Sequence, residues 1–174
     1  MIKPTPLDIG IELDPKRYIV SETDADGKIT FCNDYFLEVS GYTKEELIGQ
    51  PHNIVRHPDM PKVVFKLLWV MISTGNNINA VVKNLAKDGR YYWVFTSFEI
   101  RKDTDTDEVI GYHASRKSVS KHIVEVISEL YAKLLEIEKE EGVDASQMYL
   151  IRYLKEKDES INFANLMENI HKLY

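Results

Sequence analysis

The stretch GQPHNIVRHPDMPKVVFKLLW, residues 49–69, decides the fold of this chain. Its prolines allow only broken helical turns over residues 50–61. The apolar residues that follow lie on one helical face and Gly75 comes after them, which predicts a helix over 62–73. Upstream, two short alternating segments, 17–22 and 28–32, flank an Asp- and Gly-containing turn and predict a β-hairpin.

Three longer strands are predicted downstream, over 79–85, 90–101 and 109–119, with a hairpin turn at Lys87-Asp88-Gly89 between the first two. Between the hairpin and residue 49, Asn33 can cap a first short helix that Gly41 ends. Thr43 and Glu46 form a capping-box pattern for a second short helix. This order predicts an α+β fold, a five-stranded antiparallel sheet with short helices on one face.

The last third of the chain has a different pattern. Its apolar residues are spaced by three and four, which predicts a long helix with a seam at Ile123, Ile127, Leu130, Leu134 and Ile137. Two further helices are predicted, one capped by Asp144 or Ser146 and one by Ser160. We therefore divide the chain into an N-terminal arm (1–16), a sensor-sized domain (17–118) and a helical region (119–174). The seam is open to two interpretations, a coiled coil between copies or packing back on the sheet of the same chain.

Composition excludes several classes of protein. The 174 residues carry a net charge of -6 and no basic cluster, which argues against nucleic acid as a partner. Cys32 is the single cysteine, so an internal disulfide is excluded and a reducing cytoplasm is expected. No apolar run is long enough to span a membrane, and no signal peptide is expected. Neither a nucleophile–base motif nor a phosphate-binding glycine loop occurs, so we do not expect an enzyme.

Residues 49–69 also concentrate side chains that can bind a ligand. Arg56 offers a planar fork for phosphate or carboxylate, and His52, Asn53 and His57 can hydrogen-bond a polar heterocycle. An inward-pointing amide at Asn84 would suit the same ligand, and Trp69 and Trp93 could form an aromatic wall. On residue chemistry alone, local turn contacts and core packing explain these residues better than a bound cofactor does.

The chain resembles the PAS domains of aerotaxis receptors. The resemblance covers residues 5–118 and is carried by 41–69, Val82-Lys83-Asn84, Lys87-Asp88-Gly89 and Tyr92-Trp93-Val94. The pattern PHN-x-VRHPDMP is its specific part, whereas GY-x-x-x-EL-x-G is common to many PAS domains. The resemblance implies a PAS fold, non-covalently bound FAD and redox sensing that controls motility. By position, it implies that FAD is held by Asn33, His52, Asn53, Arg56, His57, Asp59 and Asn84.

Two departures from that family bear on function. Flavin-binding relatives commonly carry Trp-Ser-Gly where this chain has Ile78-Asn79-Ala80. Aerotaxis receptors also continue into membrane-anchoring and signalling regions that this sequence lacks. The resemblance therefore implies the soluble, cytoplasmic half of a bipartite energy-taxis receptor, which its partner recruits to the membrane without direct membrane insertion.

The implied partner is a membrane-bound methyl-accepting chemotaxis-type transducer that carries the signalling domain. The resemblance implies that this chain contacts the transducer as a homodimer. We expect flavin redox state to act on the transducer through the tail helix. Two alternatives are a PAS sensor of haem, with His57 as axial ligand, or of a small metabolite, and a cofactor-free interaction module.

Overall fold

The computed structural model describes residues 3–173 of the chain, and the side chains of residues 3–170. Contacts divide the chain into two compact units. The first contains the chain up to His57 together with Val82–Ser118, and the second contains Pro58–Val81 together with the chain from Val119 onward. The helical region that we predicted from residue 119 thus belongs with an earlier segment, residues 58–81.

Five strands form one antiparallel sheet, which confirms the predicted α+β class. They are β1 (Ile19–Asp24), β2 (Ile29–Cys32), β3 (Ile78–Leu85), β4 (Tyr91–Lys102) and β5 (Val109–Ser118). Their order is β2-β1-β5-β4-β3. The central strand β5 pairs with β1 and with β4, so that Arg116 lies opposite both Ile19 and Thr96. Side chains of paired residues share a face of the sheet, which sets one row across three strands.

Short helical elements connect β2 to the middle of the chain. They are α1 (Asp34–Ser40), α2 (Lys44–Leu47) and a 3-10 turn (His52–Val55). The Asn33 side chain accepts a hydrogen bond from Phe36 N at the start of α1, and Gly41 ends the helix in the left-handed conformation. The capping box of Thr43 and Glu46 is present at the start of α2. These caps confirm the predicted helix starts.

The N-terminal arm pairs with the beginning of β4. The backbone N–H of Leu7 donates to Gly89 O and that of Ile11 donates to Tyr91 O, each at 2.7 Å. β5 ends opposite Val94. The arm therefore pairs with residues of β4 that lie beyond the end of β5. The arm is therefore held by a backbone ladder as well as by its prolines.

Gly89 lets the arm pass close to the hairpin, and we expect Gly89→Ala to lower the free energy of unfolding by about 1–3 kcal/mol. Its φ is +91°, and a Cβ at this position would collide with the carbonyl oxygen of Thr5. Gly49→Ala is the matched control, because Gly49 has φ +80° but open space around its Cβ position. Urea unfolding of both variants separates the collision from the strain of positive φ. Equal losses would show that the arm contact contributes nothing.

The second unit is built from helices α3 (Lys62–Ser73), α4 (Lys121–Glu140), α5 (Val143–Lys157) and α6 (Phe163–Leu173). All five seam residues of α4 are buried. Neighbours of α4 within the unit are α3 and α5. The Tyr131 hydroxyl donates to Val81 O at 2.8 Å, which ties α4 to the first half of β3. The seam residues are therefore buried within the second unit.

Two predicted helix caps in this unit are wrong. α5 begins directly after Gly142, so Asp144 lies in its first turn and Ser146 lies inside the helix. The Ser146 hydroxyl instead donates to Leu134 O on α4 at 3.1 Å. α6 begins at Phe163, where Asn162 rather than Ser160 accepts the capping hydrogen bond, from Asn165 N. Among the described residues, no helix is both long and apolar enough to cross a membrane.

Candidate functional site

A buried arginine lies at the centre of the sheet. Arg116 on β5 is 3% exposed. One guanidinium nitrogen donates to Ser21 Oγ at 3.0 Å and to Ala114 O at 3.3 Å, and the other lies 2.9 Å from His52 Nε2. The guanidinium carbon is 5.8 Å from the centre of the Phe36 ring on α1. The sheet, α1 and the 3-10 turn therefore meet at this side chain.

His52 is held as a neutral acceptor. Its Nε2 lies 2.9 Å from Ser21 Oγ as well as from Arg116, and its ring stacks on Phe36 with the ring centres 5.8 Å apart. Since a guanidinium can only donate, Nε2 accepts and the ring proton is assigned to Nδ1. Burial, followed by the charge of Arg116, lowers the pKa of His52 to about 3. The imidazole is therefore uncharged at neutral pH.

Hydroxyl groups without partners lie on the same face of the sheet. The hydroxyls of Thr23 and Thr96 are buried and make no hydrogen bond. The Tyr92 hydroxyl lies beside the Asn84 amide without a hydrogen bond of normal geometry, and burial raises its pKa. Buried polar groups of folded proteins are nearly always paired, so such a cluster fits a polar ligand that would supply the missing partners.

A second pair of cations lies where the chain leaves the 3-10 turn. Arg56 forms an isolated bridge with Asn84 of β3, which places their side chains on one face of the sheet. Lys3 Nζ donates to Arg56 O at 3.0 Å. Burial and the Arg56 charge lower the pKa of Lys3, and burial lowers that of Arg56. Lys3 and Arg56 therefore place positive charge where the chain leaves the 3-10 turn.

Comparison with known proteins identifies the sheet-bearing part of the chain. A family model described as the PAS fold matches residues 29–113. Residues 29–113 are a PAS domain. The aerotaxis receptor of Escherichia coli is 39% identical over 118 residues, which are 67% of this chain and 22% of the receptor. The biofilm dispersion protein BdlA of Pseudomonas aeruginosa is 26% identical over 83 residues, 47% of this chain and 20% of that protein.

Solved structures agree on the fold of the PAS domain. A light-oxygen-voltage domain studied with a flavin analogue has a TM-score of 0.54 at 21% identity, covering 71% of this chain and 85% of that one. The LOV domain of the blue-light photoreceptor Aureochrome1, in its light state, has a TM-score of 0.53 at 22% identity, covering 72% and 92%. The predicted PAS fold and the resemblance to aerotaxis receptors are confirmed. The chain spans about a fifth of the length of the two curated relatives described above.

The PAS domain brings together three of the predicted site residues. His52, Arg56 and Asn84 belong to one face, the face of Arg116. Asn33 is already engaged, because its side-chain oxygen accepts from Val20 N and Phe36 N and its amide donates to Tyr18 O. The Asn53 side chain is exposed. The proposed aromatic and acidic members of the site lie elsewhere.

Trp93 and His57 lie on the opposite face of the sheet from Arg116. Trp93 alternates with Tyr92 along β4, and Lys83 Nζ lies 4.4 Å from the Tyr91 ring centre and 6.0 Å from that of Trp93. The His57 ring meets the Tyr91 ring edge-on at 6.1 Å. Asp59 and Trp69 belong to the second unit, where both are exposed, Trp69 to 48%. Within the first unit, Trp93 therefore does not line the Arg116 face, and Trp69 belongs to the other unit.

Sequence reasoning missed Arg116, Ser21 and the unpaired hydroxyls. The available signal was strand register. In the predicted strand 109–119, Arg116 has the same parity as Ala114, and the structure buries both. A charged residue in the buried register of a strand is unusual enough to mark a site.

Proposed function

We propose that this chain is a cytoplasmic redox or energy sensor whose PAS domain binds FAD non-covalently. The observation that carries the proposal is the buried polar row on one face of the sheet, where a guanidinium meets a neutral histidine and unpaired hydroxyls. The 39% identity to an aerotaxis receptor over 118 residues supports FAD as the ligand and motility control as the output. No metal-binding cluster of His, Cys, Asp or Glu occurs among the described residues.

The residues on the Arg116 face fit a flavin by their chemistry. A flavin supplies reversible electron transfer when bound, and its ring offers carbonyl acceptors and a ring N–H donor. Asn84 and the hydroxyls of Tyr92 and Thr96 can supply donors and acceptors to the ring, and His52 fixes Arg116. Arg56 and Lys3 provide positive charge for the phosphates. Asn33, Asn53, His57 and Asp59 remain proposals from the family resemblance, and Trp69 and Trp93 remain proposals from residue chemistry.

The proposed output is a change in the tail helix that a membrane-bound chemotaxis-type transducer detects. β5 carries Arg116 and ends at Ser118, and α4 begins at Lys121. Arg116 therefore lies five positions along the chain before the start of the tail helix, so a redox-dependent change there would have a short path to that helix. Signalling requires that the oxidised and reduced forms bias this helix differently. Hydrogen exchange over residues 115–140 should differ between the two forms, and identical protection would contradict this output.

The absorption spectrum of the purified chain tests the cofactor. We expect the two-banded spectrum of oxidised flavin, and chromatography of the heat-released cofactor should identify FAD. Arg56→Ala and Asn84→Ala should each weaken FAD binding about tenfold or more, because each removes a charged or polar contact. Arg90→Ala is the control, since Arg90 is an exposed turn residue paired with Asp88. A haem spectrum, or no binding after reconstitution with FAD, would contradict the proposal.

A further inference from the structure

Arg116 carries a positive charge that no negatively charged group among the described residues neutralises. Its hydrogen-bond partners are a hydroxyl, a backbone carbonyl and an imidazole, and none of them is an anion. Among the described residues, no carboxylate forms an ion pair with it, whereas Arg17, Arg90 and Arg101 each have one. A buried charge normally has a counter-ion, because an unpaired one is costly to remove from water.

The surroundings of Arg116 keep the site cationic. The pKa of Arg116 is lowered by burial to about 10, so the guanidinium stays protonated at neutral pH. The low pKa of His52 keeps that neighbour neutral, and the pKa of the Tyr92 hydroxyl is raised, so neither group supplies a negative charge. Ser21, His52, Tyr92 and Thr96 are thus neutral groups around one positive charge.

We propose that Arg116 is the counter-cation of the pocket and that it favours a ligand in its anionic form. The inference rests on the proposed function. For a flavin, it concerns the charge of the ring before and after reduction. Oxidised flavin is neutral at its ring, and uptake of two electrons from a reductant such as dithionite and one proton from the solvent leaves the ring with one negative charge. Arg116 therefore binds the reduced ring more tightly than the oxidised one and raises the reduction potential.

The variant Arg116→Gln tests this inference, because glutamine keeps a donor but removes the charge. The equilibrium constant for reduction should fall at least about tenfold, which lowers the potential by about 30 mV for a two-electron couple. Arg116→Lys keeps the charge and should stay closer to the wild type. Arg101→Gln is the matched control, since Arg101 is partly exposed and paired with Glu22. Equal potentials in the wild type and Arg116→Gln would overturn the inference.

The wild type alone provides a second test if Arg116→Gln does not fold or bind FAD. With an anionic reduced ring, one proton accompanies two electrons, and the potential should rise by about 30 mV for each pH unit as the pH is lowered from 7.5 to 5.5. A slope of about 60 mV per pH unit, which means two protons, would overturn the inference while leaving FAD binding intact. A wild type that binds no FAD would instead overturn the proposed function and the inference with it.

Discussion

Acidification from pH 6.5 to pH 4.5 should lower the free energy of unfolding of the wild type by on the order of 2 kcal/mol more than that of His52→Gln. The pKa of His52 is lowered to about 3 in the folded chain, by burial first and then by Arg116. The unfolded chain takes up a proton near pH 6.5, whereas the folded chain does not until about pH 3. The neutral-state stability is therefore complete above pH 6.5 and is lost progressively as the pH falls toward 3.

Urea unfolding of both proteins at a series of pH values, with matched cofactor content, measures this difference. Glutamine can accept hydrogen bonds from Arg116 and Ser21 in place of Nε2, but it cannot take up a proton. The region from pH 7 to pH 8 is the internal control, because His52 is neutral there in both the folded and the unfolded chain. Curves that stay parallel down to pH 4.5 would show that His52 is not held neutral in the folded chain.

Replacement of Glu138 by alanine should lower the free energy of unfolding by about 1–2 kcal/mol. Its carboxylate accepts hydrogen bonds from the backbone N–H groups of Lys62 and Val63, at 2.9 and 2.8 Å. Pro61 precedes α3 and provides no side-chain cap. A residue of α4 therefore caps α3 from a distance in sequence, and its negative charge also favours the positive end of the helix dipole.

Two further variants separate charge from hydrogen bonding at this cap. Glu138→Gln keeps an oxygen acceptor and should retain about half of the stabilisation, since only the charge is lost. Glu129→Ala makes the same substitution at an exposed position of the same helix and corrects for helix propensity. Chemical denaturation gives all three values. If Glu138→Ala and Glu129→Ala are equally stable, the contact with α3 has no energetic role.

Local signals predicted much of the fold. Asn33 and Gly41 bound α1, and Thr43 with Glu46 begins α2, because each of these caps depends on residues close in sequence. One predicted cap failed because a tertiary contact prevails. Ser146 could have capped a helix, but its hydroxyl donates to Leu134 O of the neighbouring helix instead. Glu138 could not be recognised as a cap, because its partners lie 75 and 76 residues away.

The candidate site was only partly predictable, for the same reason. The family resemblance could identify three of its residues, because His52 and Arg56 lie in the specific motif and Asn84 lies on a matching strand. Arg116 has no such motif, and it becomes a site residue only when register places it beside Ser21 and His52. Trp93 was expected on the ligand side because aromatic residues often line pockets. Trp93 is next to Tyr92 on β4, so their side chains point to opposite faces of the sheet. Which of the two side chains faces the ligand side becomes clear only when the orientation of the strand is known.

The partnership of α3 with the tail helices has a consequence for exchanging parts between proteins. A fragment cut before residue 119 would separate Glu138 from the α3 N-terminus and Tyr131 from Val81 O. The tail is therefore not an independent cassette that can be grafted onto another sensor by a single fusion point. A chimera that preserves its packing must also transfer residues 58–81, which lie within the chain of the PAS domain itself.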